Sequence, residues 1–361
     1  MEYTPTMIDR RVLLTAALAL GVAGGADAET SPTRPVYGDI PPLKSITPYP
    51  LGVAVKVPQL DDPAWTKLAT THFSRLTAEW EMKMEYVLRD DGSLQFDRAD
   101  RIVNFARNNG MDVHGHTLIW YAQEGGQYFA NLAGKSNAFL NAYAGYIQSV
   151  MQRYRGRIHS WDVVNEPVWN DGHSLRPCLW QKVLGDDYIG LAFEAAHQAD
   201  PDAVLFMNDY NLELTPAKRT TFLKLCETLL KNGAPLHGVG TQTHIDAGIA
   251  PGMITAAMRD IASLGLKVHV SEVDISLRET RPTNVVQPRL DQVRTLQELL
   301  QAYHDVPAGQ RYGLTLWGLR DSDSWLNSPK DHKGMLPDEP LLFDSQGRAK
   351  SLAQAFVRAV K

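Results

Sequence analysis

Between residues 51 and 360, short apolar runs alternate with helix-patterned stretches eight times, and few folds accept that order. The apolar runs are 51–57, 73–79, 111–119, 158–166, 203–208, 239–244, 267–274 and 313–319. The helical stretches between and after them are 64–70, 97–109, 137–154, 188–199, 217–232, 253–264, 291–304 and 351–360. The second begins on acidic Asp97 and stops before Gly110, as a terminated helix does. Such alternation predicts a parallel sheet, because parallel neighbours need a crossover long enough to hold a helix. Eight units predict closure into a (β/α)8 TIM barrel rather than an open sheet. No glycine-rich phosphate turn follows the first two runs, which argues against a dinucleotide-binding sheet. No composition break appears after residue 50, so 50–361 is expected to be one α/β domain.

In a barrel of this kind the C-terminal ends of the strands share one face, where active sites form. The polar residues of this chain gather at those ends. Glu79 closes the second run, and His114 and His116 lie in the third with Trp120 just beyond it. Asn165 and Glu166 close the fourth, Asn208 and Asp209 the fifth, Gln242 and His244 the sixth, and Glu272 and Asp274 the seventh. Trp317 sits in the eighth and Trp325 in the loop after it. Buried polar groups are costly without partners, so their concentration at one end marks a site.

Two of these ends have the same shape. Trp161-Asp162-Val163-Val164-Asn165-Glu166-Pro167 and Val268-His269-Val270-Ser271-Glu272-Val273-Asp274 are short strands that finish on carboxylates. The fourth and seventh strands stand across an eight-strand ring, so Glu166 and Glu272 can flank a bound sugar. Glycoside hydrolysis needs one protonated carboxyl and one ionised carboxylate. A separation of roughly 5–5.5 Å lets the carboxylate attack directly, and a wider gap admits a water. The spacing in sequence leaves both outcomes open. His244 and Asp274 are placed to hold Glu272 ionised. Glu166 has no evident cationic partner, and burial favours its protonated, acid form.

The formal charge is −5 with no basic run, which disfavours nucleic acid and anionic membrane as partners. Eight tryptophans and thirteen tyrosines supply rings that can stack on sugars. Glu79 and Lys83 follow a strand, so the mouth of the barrel is expected for both, where they suit vicinal hydroxyls. His114-Gly115-His116 is a strand HxH of the sort that can ligate zinc. It stands alone, and no metal or other cofactor is expected. Cys178 and Cys226 leave one disulfide or two free thiols equally open.

At the N-terminus Arg10-Arg11 precedes an apolar run, 12–23, too short for the roughly 20 residues that span a bilayer. Ala26-Asp27-Ala28 fits a leader cleavage site, and the paired arginines fit twin-arginine export. Residues 1–28 are expected to be a leader and 29–49 an extended lead-in, with the mature protein periplasmic or extracellular and free of the membrane.

The motifs together resemble glycoside hydrolase family 10, the retaining endo-β-1,4-xylanases. The stretch 161–167 is similar to that family's acid/base motif, and Ser271-Glu272-Val273-Asp274 to its nucleophile motif. Gly115-His116-Thr117-Leu118-Ile119-Trp120, Asn208-Asp209-Tyr210-Asn211 and Thr241-Gln242-Thr243-His244 resemble its third, fifth and sixth strand ends. Trp317-Gly318 and Pro340-Leu341-Leu342-Phe343-Asp344 resemble its C-terminal region. The resemblance spans about residues 50–357. It implies double displacement on xylan or xylo-oligosaccharides by a monomer, with Glu272 as nucleophile and Glu166 as proton donor. It implies that Asn165 binds the sugar 2-hydroxyl and that His244 and Asp274 support Glu272. It places His116, Gln242, Lys83, Trp317 and Trp325 on the glycone side, Glu79 further out, and Tyr210 on the aglycone side, with Trp120 also binding substrate.

Two positions depart from the family. Trp80 stands where an asparagine usually helps bind the second glycone sugar, and Tyr121 where a histidine usually follows the third-strand tryptophan. Neither touches the two carboxylates. Three alternatives remain: the same chemistry on glucan or short oligosaccharides, a carbohydrate binder that has lost catalysis, and a metal-dependent hydrolase that a chelator would silence.

Overall fold

The computed structural model describes residues 38–278, 286–328 and 337–360. The proposed leader, with Arg10-Arg11 and the Ala28 cleavage site, lies outside the described residues, as do the first residues of the lead-in. Eight parallel strands form a closed ring: β1 (Leu51–Val55), β2 (Arg75–Ala78), β3 (Asp112–Trp120), β4 (Ser160–Asn165), β5 (Val204–Asp209), β6 (Gly238–Thr241), β7 (Lys267–Ser276) and β8 (Arg311–Leu316). Each pairs with the next, and β8 returns to β1. The helices between and after them are α1 (Pro63–His72), α2 (Asp97–Asn108), α3 (Ser136–Tyr154), α4 (Tyr188–Ala199), α5 (Pro216–Lys231), α6 (Met253–Ala262), α7 (Val286–Asp305) and α8 (Ser351–Val360). The expected (β/α)8 barrel is therefore the observed one.

Local chemistry starts and stops these elements. Asp62 caps α1, its Oδ1 accepting from Ala64 N at 2.9 Å and Trp65 N at 3.2 Å, and Pro63 occupies the first helical position. Before β1, Leu43 and Tyr49 are buried in the core, and Tyr49 packs edge-on against Tyr303 of α7 at 4.9 Å. Gly115 looks like a weak point between two histidines, but the fold needs it. A Cβ there would fall 2.1 Å from the ring of Trp161, the fully buried tryptophan on β4.

Two differences from the sequence expectation matter. Short helical turns at Met84–Val87, Gly126–Ala130 and Leu179–Leu184 lie in the βα connections, too brief for a periodic signal. The sixth strand stops at Thr241, and a three-residue strand, His244–Asp246, pairs instead with Asp274–Ser276 of β7. The break is at Thr243, whose φ is +60°, held there by its hydroxyl bond to Glu213 Oε1 at 2.7 Å. It puts Gln242 and His244 beside the end of β7, where Glu272 N donates to Gln242 O at 3.0 Å. Of the two outcomes left open for the cysteines the structure has the free thiols, Cys226 buried in α5 and Cys178 just before the 179–184 turn.

The barrel interior is polar below the site. Asp162 of β4 sits between His114 Nε2 at 3.1 Å and His116 Nδ1 at 2.8 Å. Burial opposes its charge, but the two histidines hold the carboxyl well below the usual range. The HxH pair is thus tied to a carboxylate of the barrel wall. Among the described residues no group of three or more His, Cys, Asp or Glu is arranged to hold a metal. No described helix is long and apolar enough to cross a membrane.

Candidate active site

A groove of about 920 Å³ crosses the C-terminal mouth of the barrel, lined by Glu166 and Glu272 and flanked by Trp80, Trp120, Tyr210, Trp317 and Trp325. Both glutamates are nearly buried, at 9% and 4% exposure, so each needs partners. The ends of β4, β5 and the β6 break provide them. Asn208 of β5 donates from Nδ2 to Glu272 Oε1 at 2.8 Å and to Asn165 Oδ1 at 2.9 Å. Asn165 Nδ2 in turn reaches Glu166 Oε1 at 3.2 Å, and Gln242 Nε2 reaches the same oxygen at 3.0 Å. One chain of amides therefore joins the two carboxylates across the groove floor. Ser271 Oγ, donating to Asn208 Oδ1 at 2.7 Å, fixes which way that amide faces. In sequence Asn208 is a polar strand-end residue within a family-like motif and carries no role of its own, and the structure makes it the link.

The second oxygen of Glu272 meets His244 Nε2 at 3.2 Å, while His244 Nδ1 meets Asp274 Oδ2 at 2.8 Å. Burial pushes the imidazole down, but the charge and hydrogen bond of Asp274, then of Glu272, outweigh it and raise it to about 10. A doubly protonated ring can donate to both carboxylates at once. Burial likewise works against the Glu272 carboxylate, and His116, His244 and Lys83 together lower its pKa despite that. The structure thus brings His244 and Asp274 together with Glu272.

That pair makes stability depend on pH. A histidine raised from the usual 6.5 to about 10 stabilises the fold fully below about pH 6.5 and loses the contribution as pH climbs towards 10. The ring is 18% exposed, so the effect is on the order of a few kcal/mol. The melting-temperature gap between the natural protein and His244→Gln should be widest near pH 6 and shrink steadily towards pH 10. A gap that stays constant over that range would mean the ring is neutral.

On one side of the groove, Lys83 Nζ stands 4.5 Å from the Trp120 ring centre and 5.9 Å from that of Trp317. Trp317 packs edge-on to His116 at 5.3 Å, and Trp325 Nε1 donates to Asp274 Oδ2 at 2.8 Å. Glu79 is ion-paired with Lys56 at 3.2 Å rather than with Lys83. Burial, only partly offset by Lys56, raises its pKa. Sequence distance hid this: Lys56 follows β1, which pairs with β2. Trp80 is 41% exposed and stacks on Tyr86 at 6.2 Å and 16°. On the opposite side Tyr210 and Tyr121 face the groove beside Arg176, which lies 4.1 Å from the Tyr121 ring.

Comparison with known proteins places this geometry. The family model described as "Glycosyl hydrolase family 10" matches residues 44–359. A β-1,4-xylanase of Dictyoglomus thermophilum is 36% identical, the match covering 90% of this chain and 91% of that one. An exoglucanase of Acetivibrio thermocellus is 34% identical over 87% of this chain and 29% of its own length. The chain spans less than a third of the first curated relatives it matches, 30%, 29% and 28% of their lengths. Among solved structures, a xylanase 10C variant of Cellvibrio japonicus in complex with xylopentaose superposes with a TM-score of 0.83 at 30% identity, covering 89% of this chain and 69% of that one.

Proposed function

The chain belongs to glycosyl hydrolase family 10, and on that premise we propose that it is a retaining endo-1,4-β-xylanase. The observation that carries the proposal is the asymmetric treatment of two carboxylates joined by one amide chain. Glu272 is held ionised by His244 and by the field of His116, whereas among the described residues Glu166 receives only amide donors.

In the first step a Glu272 oxygen attacks C1 of the sugar. The C1–O bond breaks, and its electrons pass to the leaving oxygen, which takes the Glu166 proton. In the second step water returns a proton to Glu166 and attacks C1, and the Glu272 carboxylate leaves. Asn165, held between Asn208 and Glu166, is placed to meet the 2-hydroxyl at the cleavage point. The aromatic walls take the apolar faces of neighbouring sugars, and no cofactor takes part. The leader motif at Arg10-Arg11 supports export to the periplasm or beyond, where a monomer meets xylan fragments.

The test is product analysis on xylan, β-glucan and defined xylo-oligosaccharides, with the anomer followed by NMR and a chelator present in parallel. Xylan should be cut internally with the β-anomer appearing first, at a rate the chelator leaves unchanged. Equal or faster cleavage of glucan would move the specificity, and an α-anomer would replace double displacement by inversion. The oligosaccharide products also read the second glycone position, where the indole of Trp80 stands in place of a hydrogen-bonding amide.

A further inference from the structure

Glu166 has a φ of +58°, a left-handed backbone that costs a glutamate on the order of 1–3 kcal/mol. Such a conformation persists only where its surroundings over-determine it. The backbone polar groups of 166–168 can be accounted for completely. Glu166 N donates to Asn208 O at 2.7 Å, Pro167 has no N–H, and Val168 N donates to Asp209 Oδ2 at 3.0 Å. All three carbonyls go to a single residue. Arg176 Nε donates to Glu166 O at 3.0 Å, Arg176 N to Pro167 O at 2.7 Å, and Arg176 Nη2 to Val168 O at 3.2 Å.

Arg176 is 2% exposed, and among the described residues no carboxylate forms an ion pair with its guanidinium. Its remaining contacts are Asn170 Oδ1 at 3.1 Å, Tyr210 OH at 2.8 Å, and the rings of Tyr121, Trp169 and Tyr210 at 4.1, 5.1 and 5.5 Å. An unpaired buried cation is an expensive way to close a loop, since burying charge costs stability unless every donor is used. Here the donors converge on the segment that carries the proton donor.

We propose that Arg176 is a positioning residue for Glu166, setting the direction of its carboxyl by clamping the 166–168 backbone. The proposal rests on Glu166 being the acid/base group. A misplacement of about 1 Å can cost roughly 10²-fold in rate. The loss should fall only on substrates that need protonation of the leaving oxygen.

The test compares kcat/KM on phenyl and 2,4-dinitrophenyl β-xylobioside for Arg176→Lys, which keeps the charge but not the fork of donors. The ratio phenyl to dinitrophenyl should fall about tenfold or more in Arg176→Lys. Because both rates come from one preparation, partial misfolding cancels in the ratio. Asn170→Ala, which removes one acceptor without touching the backbone clamp, should move the ratio the same way by less. If Arg176→Lys lowers both rates equally, or shifts only the melting temperature, Arg176 is structural and the proposal fails. Glu166→Ala on the same pair separates the two readings: no leaving-group dependence there would overturn the acid/base assignment itself.

Discussion

Glu272→Ala is expected to lose xylan hydrolysis on the order of 10⁵-fold, and azide should restore turnover of a dinitrophenyl glycoside with inverted configuration. The structure says why both halves should hold. Truncation removes the carboxylate that Asn208 and His244 grip at 2.8 and 3.2 Å, and it leaves a cavity facing C1. It also strands a histidine that the site keeps protonated. A small anion fits that space on both counts, in volume and in charge. Attack by azide from the vacated side gives the α-glycosyl azide, since one displacement inverts the centre and no second one follows. The measurement is the anomeric configuration of the azide adduct by NMR, beside the rate on xylan. A β-azide, or an alanine variant with near-normal hydrolysis, would remove Glu272 from its role. The sequence alone already separated Glu272 from Glu166 by its neighbours His244 and Asp274, and this variant tests that separation directly.

How far the sequence carried this depended on whether partners were near in the chain or only near in space. The barrel was legible because strand and helix periods are local properties. The strand-end rule then put Glu79, Asn165, Glu166, Gln242, Glu272 and Asp274 on one face without any contact being known. What was hidden needed register. Glu79 finds Lys56 only because β1 and β2 pair in register through Val55 and Ala78. Asn208 becomes the bridge between the glutamates only when β5 lies between β4 and β6. The contact of the Gln242 amide with the Glu166 carboxyl at 3.0 Å was hidden too, because it depends on the break in the chain at Thr243. Arg176 gave no signal at all. An arginine in an irregular loop is usually solvated, and nothing in its neighbours announced a buried one.

Glu166 makes a prediction in which chemistry and conformation pull apart. Glu166→Ala should lower kcat/KM on xylan by about 10²–10⁴-fold, the usual worth of general acid catalysis, and leave the dinitrophenyl glycoside nearly unchanged. Azide should again accelerate release, this time with the β configuration retained. Here Glu272 still forms the glycosyl-enzyme, and azide replaces only the water that Glu166 would have activated. Stability should follow a different order. At φ +58° alanine keeps the steric cost that glutamate bears, whereas glycine does not. Glu166→Gly should therefore be more stable than Glu166→Ala by about 1 kcal/mol, although both lose the carboxyl that Gln242 and Asn165 contact. In an ordinary strand the order would be reversed, since glycine's extra chain entropy destabilises it. Equal melting temperatures for the two variants would mean that the left-handed turn relaxes once the side chain is gone. That result would also weaken the case for a clamp at Arg176, because a backbone that relaxes freely is not being held.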